Sequence, residues 1–410
     1  MRRPEIDNAL LELYAKYKPQ KGTKVVLLTW VIGDGLGDYS AQLETAKILS
    51  EAIAEIDITL ITFCYEKAKL HPSSFSQVFV PYTSDLKWEK IECTFSDELL
   101  EILRSAALIL QIPTYFPKTK ELLELCPGVK HELVGEGGWI NTPHFHPSTG
   151  ARCMGLHPME KGIFIKKIPK TELCTDKRSH LVYTLYSEGF CKYMRVLLKY
   201  LEKDNQNIDI YFFKLGHLLE NIEKIPFKKY GIKNALIYYK KNVCELAFAS
   251  VGKTIHFFHK ENIPQEEFLT LLAQTTDLVG CRGDGSIFET ISANKIPFFD
   301  VPEHQKKFLK NVIHLAEENK LRRAVKYLKS DHPEKMGKML QSAKLTEEIK
   351  TLNQIIREKH SVNPILINLT LRALYHYKHP NLALLESVVL DSDAPSHEVL
   401  AEIKHSLILP

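Results

Sequence analysis

The apolar run at residues 24–30 (KVVLLTW) constrains the fold more than any other stretch of this sequence. A continuous apolar run of this length is typical of a strand that is buried on both faces of a parallel sheet. A glycine-rich turn at 31–40 follows, then a predicted helix at 41–54 and a second apolar strand at 58–63. This order of strand, helix and strand predicts an α/β fold.

The alternation stops at Gly135 and restarts near His180, and the chain between them is rich in Gly, Pro and His. A chain of 410 residues is also too long for one ordinary core. We therefore predict two Rossmann-like domains, at 1–170 and 171–341, followed by a helical segment at 342–410. The remaining predicted helices lie at 97–104, 118–125, 190–202, 265–274 and 286–294, and the remaining predicted strands at 107–112, 130–134, 180–186, 208–214, 254–259, 278–281 and 296–301.

Net charge, cysteine spacing and the length of apolar runs disfavour several classes of protein. The formal net charge is +4, which is far from the strongly basic surface of a nucleic-acid-binding protein, so we expect no nucleic-acid partner. The eight cysteines contain no CxxC pair, which favours reduced thiols and a cytoplasmic location. No apolar run approaches ~20 residues, so we expect no membrane span.

The segment at 254–311 carries the most specific pattern. A glycine-rich turn with Gly283 and Gly285 lies between a strand and a helix that we expect to begin near Ser286. Glycines let a phosphate approach the backbone, and a helix N-terminus offers free N–H groups and a favourable dipole. The segment resembles the donor-binding half of GT-B glycosyltransferases. The matching residues are Asp277, Leu278, Gly283, Gly285, Ser286, Glu289, Lys295 and Pro297, while Asn294 replaces the usual glycine.

The resemblance implies two Rossmann-like domains that face each other across a cleft and bind a nucleoside-diphosphate sugar. It implies that Glu289 binds the ribose hydroxyls, although Ser286 and Glu289 also have the spacing of a capping box. Arg282 is either a phosphate ligand or part of a surface ion pair. Phe258 either stacks on the base or belongs to the core. The other expected donor-side residues are Asp284 and Ser187, and the latter lies in a turn that could equally be structural.

A second glycine-rich loop follows the first strand, with Asp34, Gly37 and Asp38. Its glycine spacing is not the dinucleotide fingerprint G-x-G-x-x-G, which disfavours NAD. It resembles the Gly-Asp loop of inverting GT-B enzymes, among them the arginine-rhamnosylating protein transferases. On that likeness Asp38 is the general base and Asp34 a second candidate. The alternative is that Asp38 caps the following helix.

The histidine-rich segment after residue 135 is the third feature. Its His144 and His146 do not have the spacing of a standard zinc site, so we predict no metal. In a GT-B layout this part of the chain lines the acceptor side of the cleft. Gly37, Glu136, Trp139, His144 and His146 are therefore candidate acceptor-side residues.

Taken together, these features favour a metal-independent, cytoplasmic, inverting glycosyltransferase. It would use a nucleotide-sugar as co-substrate, no bound cofactor, and a protein, glycan or small-molecule acceptor. A non-hydrolysing nucleotide-sugar epimerase and a non-catalytic two-domain interaction protein are the alternatives. The former would need further acid and base residues around the sugar, and the latter would not need Asp38 or Glu289.

Overall fold

The computed structural model describes residues 12, 14–31, 37–64, 73–84, 91–114, 116–135, 152–156, 160–171, 178–184, 186–261, 263–281, 283–299 and 303–380. The chain divides into two compact units. The first consists of Met1–Met154 together with Val362–Pro410, and the second of Gly155–Ser361.

The first unit contains a six-stranded sheet in the order β3-β2-β1-β6-β7-β8, and every neighbouring pair is parallel. The central strand β1 is buried over its last six residues, as its apolar run predicts. A small antiparallel pair, β4 and β5, lies outside this sheet. The strands are β1 (Thr23–Trp30), β2 (Ile56–Cys64), β3 (Ser76–Pro81), β4 (Thr83–Ser84), β5 (Ile91–Glu92), β6 (Leu108–Gln111), β7 (Lys130–Gly135) and β8 (Arg152–Cys153).

The second unit contains a seven-stranded sheet in the order β12-β11-β13-β10-β9-β14-β15. All its neighbouring pairs are parallel except β11 and β12, which form an antiparallel hairpin at one edge. No strands were predicted at 232–247, where this hairpin lies. The strands are β9 (Arg178–Val182), β10 (Ile208–Phe212), β11 (Ile232–Tyr239), β12 (Asn242–Ala247), β13 (Lys253–His259), β14 (Leu278–Cys281) and β15 (Ile296–Phe299).

Helices connect most of these strands. The helices are α1 (Gly37–Ala52), α2 (Asp97–Arg104), α3 (Thr119–Glu124), α4 (Ser187–Tyr200), α5 (Leu215–Asn221), α6 (Gln265–Gln274), α7 (Asp284–Ser292), α8 (Glu303–Glu318), α9 (Arg322–Leu328), α10 (Pro333–Leu340), α11 (Ala343–Lys359) and α12 (Asn363–Lys378). Two short 3₁₀ helices, Ile222–Lys224 and Phe227–Tyr230, precede β11.

The predicted α/β class with two parallel sheets is confirmed, and so are helices near the C-terminus. The division of those helices differs from the predicted single segment at 342–410. Helix α11 packs on α7 and β15 within the second unit, whereas α12 packs on α1, β6 and β7 within the first. Apolar faces explain this, since α12 buries Leu366, Leu369 and Leu374. The chain passes from one unit to the other after residues 154 and 361, whereas we predicted these limits at 170 and 341.

Within the part of the chain that the structure describes, no helix combines the length and apolarity that crossing a bilayer requires. Six of the cysteines in that part are free thiols, namely Cys64, Cys93, Cys126, Cys191, Cys244 and Cys281.

Candidate functional site

The topology of the second sheet singles out the carboxyl ends of β9 and β14. After β9 the chain moves to β10 on one side of it, whereas β14 lies on its other side. Ligands of open α/β sheets bind at such a switch point, outside the carboxyl ends of the strands. Helices α4 and α7 follow these two strands, so both helices begin at this end of the sheet.

The N-terminus of α7 has the geometry of an anion site. Gly283 is its N-cap in an extended conformation. Among the described residues, no atom beyond the chain neighbours and the helix backbone lies within 4 Å of a Cβ position on Gly283 or Gly285. The buried Ser286 hydroxyl donates to the carbonyl oxygen of Gly283 at 2.8 Å and accepts from its N–H at 3.1 Å. The helix therefore begins two residues before the predicted start, and the side chain of Ser286 stabilises the turn.

Asp284 lies half-buried in the first turn of α7. A carboxylate at this position interacts favourably with the positive end of the helix dipole. The same charge repels a phosphate group, so Asp284 is less suited to a diphosphate than the two glycines beside it.

Glu289 lies in the second turn of α7 and is 5% exposed. Its Oε1 accepts from Lys166 Nζ at 2.7 Å and from Gln265 Nε2 at 2.6 Å. The capping-box alternative for Glu289 is wrong, because the cap consists of Gly283 and Ser286. Sequence reasoning missed Lys166, which lies in an irregular segment 123 residues away along the chain.

Ser187 is the first residue of α4. The side-chain amide of Asn221 donates to its Oγ at 2.8 Å and to its carbonyl oxygen at 2.9 Å. These bonds fix the beginning of α4 at the switch point. The neighbouring Tyr186 is 52% exposed there.

Phe258 on β13 stands between two tyrosines on the adjacent strands. Its ring is stacked on Tyr238 with centroids 4.7 Å apart and on Tyr211 with centroids 5.3 Å apart. Because β13 lies between β11 and β10, these contacts cover both ring faces. Stacking of a base on Phe258 would require one tyrosine to move.

The first unit has its own switch point, between β1 and β6. Gly37 and Asp38 begin α1, which follows β1. Within the described residues, nothing beyond the chain neighbours and the helix backbone lies within 4 Å of a Cβ position on Gly37. Asp38 is half-buried and lies inside the first turn of α1. Its Oδ1 accepts from the hydroxyl of Thr114, in the segment after β6, at 2.7 Å.

Thr114 is itself held in place. Its carbonyl oxygen accepts from Gln111 Nε2 at 2.9 Å, and Gln111 Oε1 accepts from the hydroxyl of Thr119 at 3.0 Å. This series of hydrogen bonds joins β6, the segment after it and α3 to the Asp38 carboxylate. Sequence reasoning gave no signal for Thr114, because the hydroxyl acts on a residue 76 positions away.

The other predicted site residues cannot be placed. Asp34, Arg282, Glu136, Trp139, His144 and His146 lie outside the described residues.

No family model matches the chain, and no curated protein matches it. Solved structures do match. Acinetobacter baumannii MurG is 11% identical with a TM-score of 0.48, over 85% of this chain and 99% of that one. The spinosyn rhamnosyltransferase SpnG complexed with thymidine diphosphate is 10% identical with a TM-score of 0.45, over 84% and 99%. A UDP-glucosyltransferase from Polygonum tinctorium is 10% identical with a TM-score of 0.46, over 88% and 100%.

Proposed function

We propose that this protein is a glycosyltransferase that binds a nucleoside-diphosphate sugar at the switch point of its second unit. The main structural support for this proposal is the N-terminus of α7. It begins directly after β14 beside β9, and in the part of the chain that the structure describes a Cβ on either of its two glycines would meet no distant atom within 4 Å. A diphosphate fits such a place, because backbone N–H groups can approach its oxygens and the helix dipole favours negative charge.

The same arrangement suits the departure of a diphosphate. When the bond between the sugar C1 and the diphosphate oxygen breaks, negative charge develops on that oxygen. Preorganised N–H groups at a helix N-terminus stabilise developing charge without reorganisation. The proposed reaction therefore uses the protein's own dipoles, with no metal and no bound cofactor. Arg282 would add a positive charge, and Glu289 would bind the ribose.

Transfer with inversion also needs a base for the acceptor. We assign this role to Asp38, whose half-buried carboxylate is held by the neutral hydroxyl of Thr114. A carboxylate has about four lone-pair sites on its two oxygens, so the bond from Thr114 is compatible with uptake of the acceptor proton. Asp34 is the second candidate. Gly37, Glu136, Trp139, His144 and His146 are proposed to contact the acceptor, which is a protein, glycan or small molecule and not a nucleic acid. We expect the reaction in the cytoplasm.

The direct test is binding. UDP, dTDP, GDP, ADP and CDP are added separately, and the unfolding temperature is measured. A nucleotide present at 100 times its Kd stabilises the folded state by about 2.7 kcal/mol. The matching nucleotide-sugars are then tested for slow hydrolysis, which releases the same diphosphate. If no nucleoside diphosphate stabilises the protein, the proposed function is wrong.

A further inference from the structure

The two edges of the seven-stranded sheet in the second unit differ. At one edge, β15 is buried over its first three residues and packs on α11. It also contains Pro297, which has no N–H for a further strand. At the other edge, β12 is exposed at five of its 6 residues and contains neither proline nor glycine. An edge of this second kind is a template on which a further strand can pair.

The backbone of β12 fixes which residues face a further strand. The N–H of Phe248, directly after β12, donates to the carbonyl oxygen of Lys233 at 2.7 Å, in the same register as the β11–β12 hairpin. Residues that bond to the neighbouring strand alternate with residues that do not in an antiparallel pair. The even-numbered residues of β12 therefore direct their backbone groups towards β11, whereas Val243 and Glu245 direct theirs outward.

The side chains at this edge are complementary to those of a second copy of the same strand. Val243 is 58% exposed and lies opposite Tyr238 of β11, whose ring is stacked on Phe258. A row of aromatic rings on the sheet thus ends at an apolar side chain on the edge. Lys241 and Glu245 are exposed two positions before and two positions after Val243. An antiparallel copy with Val243 opposite Val243 therefore brings Lys241 of each chain opposite Glu245 of the other.

We propose that β12 is a dimerisation edge, at which two copies of this chain join their second sheets in antiparallel fashion with Val243 opposite Val243. Each Val243 then donates one hydrogen bond to the other and accepts one. Two Lys241–Glu245 pairs flank this centre, and opposite charges at cross-strand positions are stabilising. A shift by two residues loses both charge pairs, and a shift by one sets outward backbone groups against groups that face β11. This pairing is independent of the proposed nucleotide site.

The first measurement is the oligomeric state of the whole chain. Sedimentation equilibrium at protein concentrations from about 1 to about 100 µM covers the micromolar dissociation constants of modest interfaces. We expect a reversible equilibrium between monomer and dimer. A chain that stays monomeric at every concentration overturns the proposal and leaves β12 to a strand of a different protein.

The backbone pairing is tested with Val243→Pro. Proline removes the outward N–H of Val243 but no bond between β11 and β12, and edge strands accept proline where the N–H faces solvent. Two hydrogen bonds are lost per dimer, so the dissociation constant should rise roughly 10- to 100-fold. Val243→Thr keeps the N–H and the branched shape and should still dimerise. If Val243→Pro dimerises as tightly as the wild type, the interface lies elsewhere and the proposal is wrong.

Charge reversal tests the register without changing the backbone. Lys241→Glu places like charges opposite each other twice in every dimer, so the dissociation constant should rise roughly 10- to 100-fold. Lys241→Glu combined with Glu245→Lys restores two opposite-charge pairs and should restore the wild-type affinity. Lys326→Glu makes the same change at an exposed position of α9 and should have no effect. If the double variant does not recover, the two residues do not meet and the proposed pairing is overturned.

Cross-linking measures the register independently. In the proposed dimer Cys244 lies opposite Asn242 of the second copy, as a pair without backbone bonds whose Cα atoms are about 4.5 Å apart. This separation falls within the range of disulfides, roughly 4.4–6.8 Å. Asn242→Cys should therefore give a covalent dimer when air and copper phenanthroline oxidise the thiols. The same variant with Cys244→Ser is the control and should not cross-link.

The wild-type chain supplies the contrary outcome of the same experiment. In the proposed register the two Cys244 residues are displaced by two positions, with Cα atoms roughly 8 Å apart, which is too far for a disulfide. The wild type should therefore remain without a covalent dimer. Rapid cross-linking of the wild type that Cys244→Ser abolishes would place Cys244 opposite Cys244, and the proposed register would be wrong.

Discussion

Asp38 and Glu289 occupy comparable places in the two units but have opposite surroundings. Each carboxylate lies near the start of a helix that follows a strand at a switch point. Asp38 is half-buried and accepts from the neutral hydroxyl of Thr114, whereas Glu289 is buried and paired with the cation of Lys166. The described contact of Asp38 is therefore with a neutral donor, whereas that of Glu289 is with a buried cation.

The roles that we propose for the two carboxylates, one in chemistry and one in binding, make different demands on their surroundings. A base has to gain a proton during the reaction, which requires hydrogen-bond contact with the reacting group. A binding group has to keep its orientation, which burial and pairing provide. The two units would thus use the same residue type, at similar positions, for different purposes.

The largest expected effect is on catalysis. Asp38→Asn keeps the shape of the side chain and should leave nucleotide binding unchanged. Sugar transfer should fall by roughly 10²–10⁴-fold, the contribution that is typical of a positioned base. The measurement is the rate of transfer to an acceptor, or of donor hydrolysis where no acceptor is known.

Asp34→Asn is the matched control for this variant, since it removes the same charge from the same loop and should matter less. If Asp38→Asn transfers sugar at the wild-type rate, Asp38 is not the base. If the product keeps the anomeric configuration of the donor, the reaction is not inverting.

For stability we expect the opposite order, with a larger loss in the Glu289 variant than in the Asp38 variant. Glu289→Ala leaves the cation of Lys166 buried without its partner, which should lower the free energy of unfolding by about 3–5 kcal/mol. Asp38→Ala removes one hydrogen bond and one favourable dipole interaction, for a loss of about 1 kcal/mol. Urea unfolding of both variants measures the difference. Equal losses of unfolding free energy in the two variants would show that both carboxylates contribute equally to stability, despite their different contacts.

The hydroxyl of Thr114 provides a finer test. Thr114→Val keeps the shape of the side chain but removes the donor to Asp38. Transfer should slow roughly tenfold, equivalent to one hydrogen bond of about 1.4 kcal/mol. Thr114→Ser keeps the donor and serves as the control, and a wild-type transfer rate in Thr114→Val would separate Thr114 from the base.

The last expected effect, taken per pH unit, concerns one histidine in each unit, the half-buried His131 and the buried His180. Burial lowers the pKa of His131 to about 4 and that of His180 to about 3, from an ordinary value of 6.5. Below pH 6.5 the unfolded chain therefore binds more protons than the folded one, so the free energy of unfolding falls as the pH drops towards these values. Each histidine contributes at most about 1.4 kcal/mol per pH unit.

Urea unfolding across that window measures the slope, and His131→Leu should reduce it. The same slope in this variant would mean that His131 is protonated in the folded protein as readily as in the unfolded chain.

The sequence alone was sufficient where the information is local. The apolar run at the first strand, the helix at Gln265–Gln274 and the strand at Leu278–Cys281 follow from periodicity and from the residues that flank them. The glycine-rich start of α7 was found for the same reason, since a turn, a cap and a helix N-terminus all involve neighbours in the chain. We did not predict the hairpin of β11 and β12 from the sequence, because its turn lacks a distinct sequence pattern.

Only the tertiary structure decided which partners the two carboxylates have. Lys166 and Glu289 are separated by 123 residues, and Thr114 and Asp38 by 76. It also placed α11 in one unit and α12 in the other, although the two helices follow each other in the chain. Periodicity determines that a residue lies on a strand or a helix and which face it occupies. Which distant residue meets it there depends on how the sheets and helices pack, and no local pattern in the sequence records that.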